Sequence, residues 1–452
     1  MNLCRDESHG ILLISAFKNT LIHIFTEVKY MKKIISVIFA LCFIMQTTIC
    51  VSGAERVVKE NEDIELPSTF ASVVPNGEDT KKLPVEIKAK SAVLMDVATG
   101  KVLMQYNPDV KLFPASVTKI MTILLVAEAI RSKKITLADT VACSSNAASK
   151  GGSQIWLEEG EAMTVDELLR ATIIGSANDA ATLLGEYISG SEDAFISLMN
   201  ARAKELGMKN TVFVNATGLD DTTDDHLTTS MDIAIMSREL LKHEFITKYT
   251  TVWMDSLRNG ETELVNTNKL VRFYEGTTGL KTGTTAKAGC CVSASAKRGD
   301  LHLVAVVMGS ENSNDRFETA KSMLNWGFSN YVSYTPAIDK SLLENVKVLG
   351  GRSNDVGLNM PELSPILIKK GEENSVKVEV DLCADVKAPV TKGQTLGQVR
   401  VVVSDKQIAE YKLTATDGVA KLNLFDGVLK IFNFISNGKT DYPYNTKNGS
   451  DA

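Results

Sequence analysis

Residues 113–122 read "FPASVTKIMT", a serine and a lysine three positions apart, directly behind Pro114 and ahead of a long apolar run. Residues three apart on a helix share a face, so Lys119 is expected beside Ser116, one turn in. A proline in the first turn, followed by Ile120, Ile123, Leu124, Ala127 and Ile130 at helical spacing, predicts a buried helix that opens here. Free N–H groups and the dipole at such an N-terminus favour an oxyanion. A lysine amine accepts a hydroxyl proton only when neutral. Because an unperturbed lysine titrates at about 10.4, neutrality requires desolvation or a neighbouring cation.

Outward from that helix, "SAVLMDVATGKVLMQYN" is two apolar runs split by Thr99-Gly100, a hairpin signal. Downstream, "TVDELLRATIIGS", "NDAATLLGEYI", "SEDAFISLMNARAKELG" and "TSMDIAIMSRELLKH" carry helical periodicity. Strands return in "GCCVSASAKRGDLHLVAVVMGS", turning at Arg298-Gly299-Asp300, before a closing helix in "RFETAKSMLNWGFSNY". Strands flanking a helical middle predict an α+β domain over residues 84–332. Beyond Pro336 the texture changes to short β-branched runs separated by Gly, Asn and Asp turns, among them "SVKVEVDL", "LGQVRVVVS" and "QIAEYKLTA". These predict a small all-β domain over residues 337–423, which holds no cluster of chemically active side chains and reads as a packing or spacer module.

The N-terminus carries an address. In "YMKKIISVIFALCFIMQTTICVSGA" two lysines precede an apolar run and then Ser52, Gly53 and Ala54, the layout of a secretory signal with cleavage expected after Ala54. The first 30 residues hold acidic residues and the apolar "ILLISAF", which is unusual ahead of a basic n-region, so translation is expected to start at Met31. Residues 1–54 are thus a leader, and the polar stretch 55–83 a linker. An exported, extracytoplasmic location follows. Downstream of the leader remain Cys143, Cys290, Cys291 and Cys383, without CxxC spacing, and these are expected to be isolated buried thiols. With 452 residues and a formal charge of −6, acidic and basic residues being interspersed, the chain has no extended basic field, which argues against nucleic acid. No metal site or cofactor motif is visible.

S-x-x-K alone is a weak signal, and it occurs three times: Ser15 with Lys18, Ser116 with Lys119, and Ser436 with Lys439. A penicillin-recognising site requires S-x-x-K, then an S-x-N triplet, then K-T-G, in that order. K-T-G occurs once, at Lys281-Thr282-Gly283, and of the S-x-N triplets only Ser144 and Ser176 lie between Ser116 and Lys281. Ser176, in "GSANDAA", sits at a helix-to-helix junction where a loop can aim side chains into a cleft, whereas "SSNAAS" has nothing else to recommend it. Ser15 falls in the leader and Ser436 follows K-T-G. One ordered set survives.

Over about residues 88–435 the chain resembles the low-molecular-weight penicillin-binding proteins that act as serine D-alanyl-D-alanine carboxypeptidases, peptidase family S11. The resemblance rests on "FPASVTKIMT", "GGSQIWLEEGEAMTVDELLRATIIGSANDAA", "MNARAKELGMKNTVFVNATGL", "TTGLKTGTTAKAGCC" and the C-terminal β-domain. It implies a penicillin-binding-protein/β-lactamase-like domain, an antiparallel sheet with a helical cluster, followed by a β-sandwich domain. It also implies that Ser116 is the nucleophile and Lys119 its general base. Ser176 would relay a proton toward the leaving amine, while Asn178 would hold the substrate amide and Lys119. Lys281 would supply a cation near Lys119 and, with Thr282, attract the substrate's terminal carboxylate. Gly283 would let the K-T-G strand approach a peptide lying along it as an added strand, and the N–H groups of Ser116 and Thr284 would form an oxyanion hole. Implied partners are peptidoglycan stem peptides ending in D-Ala-D-Ala, with β-lactams as covalent inhibitors. Arg316 matches a recurrent family arginine, for which an ion pair and a substrate role both stand open.

Rival readings fare worse. A Ser-His-Asp triad needs a positioned histidine, and His226, His243 and His302 stand in no fitting context; His226 is expected to be structural. A class A β-lactamase would use a deacylating glutamate, but the nearest candidate, "ETELVN", has the wrong spacing. Three intact motifs argue against a non-catalytic sensor. Finally, Leu424, Phe425, Val428, Ile431, Phe432 and Ile435 share one helical face, too short to span a bilayer, so peripheral membrane contact through residues 424–435 is expected.

Overall fold

The computed structural model describes residues 83–425 and 428, apart from residue 222. The leader, the linker up to residue 82 and the tail positions Ile431, Phe432 and Ile435 lie outside the described residues. The first apolar pair of runs forms the expected hairpin, Ser91–Asp96 (β1) antiparallel to Val102–Tyr106 (β2). Thr277–Thr285 (β3), Gly289–Arg298 (β4) and Leu301–Ser310 (β5) complete a five-stranded antiparallel sheet in the order β2-β1-β5-β4-β3. Its β4–β5 connection turns at the Gly299-Asp300 step. The K-T-G strand, β3, is an edge of this sheet.

Alternate side chains of the central strands enter two different cores, which explains their nearly unbroken apolar sequence. Val93, Met95, Val304, Val306 and Met308 join the helical cluster on one face. Ala92, Leu94, Leu303, Ala305 and Val307 pack on the other against Ser313–Asn330, the closing helix. At the heart of the cluster lies α1 (Lys119–Arg131), buried without interruption from Lys119 to Ala127. Such a helix is apolar all round because every side meets protein, and truncating a fully buried side chain such as Leu124 to alanine costs about 2–5 kcal/mol.

The expected helix start is displaced. Ala115–Thr118 forms a 3-10 turn and α1 begins only at Lys119; Ala115 adopts φ +47°, a left-handed conformation, so no regular helix can run from Pro114 through it. "TVDELLRATIIGS" also divides. Val165–Arg170 is an α-helix opened by a Thr164–Glu167 capping box, and Ala171–Gly175 is a π-helical turn ending at Ser176, φ +63°. The remaining runs form α2 (Asn178–Ser189), α3 (Glu192–Glu205) and α4 (Ser230–Leu241); Ser191 and Thr229 cap the last two through their side chains.

After the closing helix, Tyr331–Tyr334 pairs with Ile366–Lys369. The three β-branched runs singled out above become Val376–Leu382, Thr395–Val403 and Lys406–Ala415, joined in one antiparallel ladder. They enclose separate apolar cores around Val399, Val401 and Leu413 and around Val348, Val390 and Leu396. The architecture is therefore an α+β unit followed by an all-β one. One expectation fails: Cys143, Cys290 and Cys291 are buried and unpaired, but Cys383 is exposed, because it follows the end of the strand Val376–Leu382 rather than lying within it.

Candidate active site

The turn before α1 presents one partly exposed polar side chain, Ser116, between the buried Ala115, Val117 and Thr118. Beneath it Lys119 is fully buried, 0% exposed. Its Nζ lies 3.0 Å from Ser116 Oγ, 2.5 Å from Asn178 Oδ1 and 3.0 Å from the Thr217 carbonyl oxygen. The Asn178 amide is oriented by its own Nδ2, which donates to the Gly151 carbonyl at 2.7 Å, so the oxygen must face the lysine. Two of the three neighbours of Nζ can therefore only accept. A neutral amine has two N–H groups for those acceptors and one lone pair left for the Ser116 hydroxyl. Burial, and secondly the Lys281 cation, hold Lys119 well below the ordinary lysine range, with Asp179 opposing them. Both effects disfavour the ammonium form, as a general base requires.

Ser176 enters from the C-terminal end of the π-turn. Its left-handed backbone, uncommon for a residue with a side chain, costs on the order of 1–3 kcal/mol. The side chain is buried, and Lys281 Nζ donates to its Oγ at 2.9 Å and to the Thr282 carbonyl at 3.0 Å. Burial, with Arg316 as second cause, brings Lys281 down to about 7. Lys281 thus disfavours the charge on Lys119, while the two amines touch different serines.

β3 places the rest. Thr282 Oγ1 donates to Thr267 Oγ1 at 2.7 Å. A methyl on Gly283 would lie 2.8 Å from the Pro114 carbonyl oxygen and 2.9 Å from Ser116 N, so the strand and the serine turn touch backbone to backbone here. Only a residue without Cβ permits that approach. Thr284 is exposed, and its Oγ1 accepts from Arg316 at 2.9 Å.

The predicted Ser116, Lys119, Ser176, Asn178, Lys281, Thr282, Gly283 and Thr284 thus converge from three distant segments of chain. Ser144 does not join them; its hydroxyl caps the short helix Ser145–Ala148 and donates to Glu186 at 2.5 Å. Among the described residues no histidine touches Ser116, so the triad finds no support. Arg316 is buried, its Nη1 also donating to the Gly283 carbonyl at 3.0 Å and the Cys291 carbonyl at 3.2 Å, while its Nε has no partner. Among the described residues no carboxylate pairs with it, which removes the ion-pair alternative. Sequence reasoning missed the Thr217 and Gly151 carbonyls and Asp179. The Asp179 carboxylate is fully buried and accepts N–H bonds from Ile155 at 3.1 Å and Leu157 at 3.0 Å, fixing the loop that holds Asn178. Backbone carbonyls leave no mark in side-chain type. Asp179, adjoining the S-x-N triplet, was the one legible signal.

Known proteins share this arrangement of chain. A family model described as D-alanyl-D-alanine carboxypeptidase matches residues 78–312, and one for the C-terminal domain of penicillin-binding protein 5 matches residues 333–421. The chain is 44% identical over 359 residues to D-alanyl-D-alanine carboxypeptidase DacF of Bacillus subtilis, covering 78% of this chain and 91% of that one. It superposes on penicillin binding protein 5 from Haemophilus influenzae with a TM-score of 0.66 at 30% identity, over 75% of this chain and all of the other. Penicillin-binding protein D2 from Listeria monocytogenes, in an ampicillin-bound form, matches 54% of this chain and 99% of its own length at 29% identity, with a TM-score of 0.50.

Proposed function

Because the chain belongs to the D-alanyl-D-alanine carboxypeptidase family, peptidase S11, it is a serine D-alanyl-D-alanine carboxypeptidase, and we propose that it works through an acyl-enzyme on Ser116. Lys119 takes the Ser116 proton as Oγ attacks the penultimate D-alanine carbonyl. The amine's two fixed acceptors, with the lone pair left for Ser116, are the observation that carries this assignment. The N–H groups of Ser116 and Thr284 stabilise the tetrahedral oxyanion. Ser176 passes its hydroxyl proton to the leaving D-alanine amine and takes one from the Lys281 ammonium bonded to it. Water then releases the shortened peptide.

The substrate lies along β3 as an added strand, on an outer edge that no strand pairs with among the described residues. Asn178 holds its amide, and Lys281, Thr282 and Arg316 receive the terminal carboxylate. The unpartnered Nε, and the absence among the described residues of a carboxylate paired with Arg316, support that role. The natural substrate is a peptidoglycan stem peptide ending in D-Ala-D-Ala, whose trimming limits cross-linking. Penicillins, which resemble that terminus, acylate the same serine, as the ampicillin-bound relative suggests.

Residues 84–332 carry the chemistry and 337–423 form a β-sandwich spacer. The signal in residues 31–54 exports the chain, and residues 424–435 rest on the outer membrane face. Leu424 and Phe425 are 86% and 73% exposed, consistent with a surface awaiting cover. Liposome flotation of residues 55–452 with and without 424–452 tests the last point; equal flotation ends it. The central test is D-alanine release from a D-Ala-D-Ala peptide by residues 55–452, beside Ser116→Ala and a mass spectrum of the penicillin adduct. Release that vanishes in the variant, with the adduct on Ser116, is expected. An adduct on another residue, or release that survives the substitution, refutes the assignment.

A further inference from the structure

A buried imidazole next to the serine turn has no part in the chemistry above. His226 is fully buried. Its Nδ1 lies 3.3 Å from the backbone nitrogen of Val214 and its Nε2 2.9 Å from Thr118 Oγ1. A backbone N–H can only donate, so Nδ1 carries the lone pair and the ring proton must sit on Nε2, donating to Thr118. Both ring nitrogens are thereby satisfied in the neutral ring. Burial alone brings this histidine down to about 4, with no charged neighbour contributing.

The two segments joined by this ring together define the position of Lys119. Thr118 is the residue before the lysine and belongs to the serine turn. Val214 opens the loop whose Thr217 carbonyl accepts from Lys119 Nζ and whose Ala216 carbonyl accepts from Thr122 Oγ1, one turn further along α1, at 2.7 Å. Gly218, φ +88°, closes the same loop against the turn; a methyl there would strike the Ala115 carbonyl. The loop contributes an acceptor to the amine, yet no bond from Ser116 itself reaches it among the described residues.

We propose that His226 is a positioning residue for the reaction: as its Nε2–H tautomer it clamps the Ser116–Lys119 turn to the 214–218 loop and so holds the Lys119 amine in line with the serine hydroxyl. This rests on Lys119 acting as the base. Misplacing a reacting group by about 1 Å costs on the order of a hundredfold in rate, and loss of one buried hydrogen bond is enough to loosen such a clamp.

The test uses the full chain in four variants: Thr118→Val, His226→Asn, His226→Gln and the Thr118→Val/His226→Asn double. Thermal midpoints, the second-order rate of acylation by a fluorescent penicillin, and kcat and KM on a D-Ala-D-Ala peptide are measured for each. Thr118→Val conserves shape and removes only the acceptor. Asparagine at 226 can replace the Nδ1 acceptor but falls short of Thr118, whereas the longer glutamine reaches it with an N–H. Thr118→Val and His226→Asn are each expected to lower acylation and kcat about tenfold or more with KM little changed. The double variant should be no worse than the weaker single, and His226→Gln should recover acylation relative to His226→Asn. Should folded Thr118→Val acylate within about twofold of the parent, the clamp has no catalytic role. Losses that add in the double variant would equally overturn it. A parent that forms no adduct on Ser116 would instead overturn the assignment of the nucleophile, so the two failures are separable.

Discussion

Replacing Gly283 by alanine isolates the approach between the K-T-G strand and the serine turn. The added methyl would sit 2.8 Å from the Pro114 carbonyl oxygen, 2.9 Å from Ser116 N and 3.0 Å from Ala115 Cβ. Ordinary contact for a Cβ begins at 3.4 Å, so strand and turn must part by about half an ångström. Neither side yields easily: two of the three obstructing atoms are backbone, and Ala115 is already held at φ +47°. Gly283 does not have a positive φ, so the substitution tests space and not conformational freedom. Overpacking of this kind costs about 1–3 kcal/mol in stability. The larger effect falls on rate, because the two proposed oxyanion donors, the N–H groups of Ser116 and Thr284, lie on opposite sides of the gap. A full ångström costs on the order of a hundredfold and one lost oxyanion donor about 10²–10³-fold, so half an ångström is expected to lower acylation by roughly 10- to 100-fold. Stopped-flow acylation by a fluorescent penicillin measures this, with circular dichroism establishing that the variant is folded. A folded Gly283→Ala protein acylating within about twofold of the parent would refute the claim that the gap is set by this contact.

With Lys119 as the proposed base, acylation should rise with pH through its pKa. The Lys281 cation lowers that pKa and Asp179 raises it, so Lys281→Gln is expected to move the ascending limb to higher pH and Asp179→Asn to lower pH; pH–rate profiles of acylation decide, and shifts of the same sign would contradict the arrangement. Arg316→Lys keeps the charge but offers one nitrogen on a shorter stem, which cannot replace both Nη1, serving the Gly283 and Cys291 carbonyls and Thr284, and Nη2, serving Ser313; KM for a D-Ala-D-Ala peptide is expected to rise about tenfold, consistent with about 1–3 kcal/mol for disrupted buried polar groups, and an unchanged KM would remove Arg316 from the substrate site. His226 and His302 are both held by burial down to about 4, against 6.5 unfolded. Unfolding therefore takes up protons in that interval, and stability falls as pH drops from 6.5 toward 4, by about 3 kcal/mol for each fully protonated ring. Thermal midpoints across pH 4–7 should follow this, and His302→Gln should flatten the slope.

The order of the three motifs, the helical run behind Ser116, the paired apolar runs of the hairpins and the β-branched texture after Pro336 are all properties of neighbouring residues. They were legible in the chain because periodicity and turn chemistry act locally. The eight candidate residues could be named for the same reason: each stands in a short pattern of fixed spacing. What no local pattern contains is the set of contacts that fits Lys119 for the proposed role of base. Its acceptors come from Asn178 and from the Thr217 backbone, nearly sixty and a hundred positions away. The space that expels water from Lys119 exists only once the helical cluster has packed against the sheet. The left-handed Ala115, which keeps a helix from running through it from Pro114, is likewise no local preference, since alanine by itself prefers helix. Sequence by itself determined which groups are present and in what order; tertiary structure decided their protonation and aim, because a lysine's pKa depends on distant atoms that exclude solvent and bring charges together.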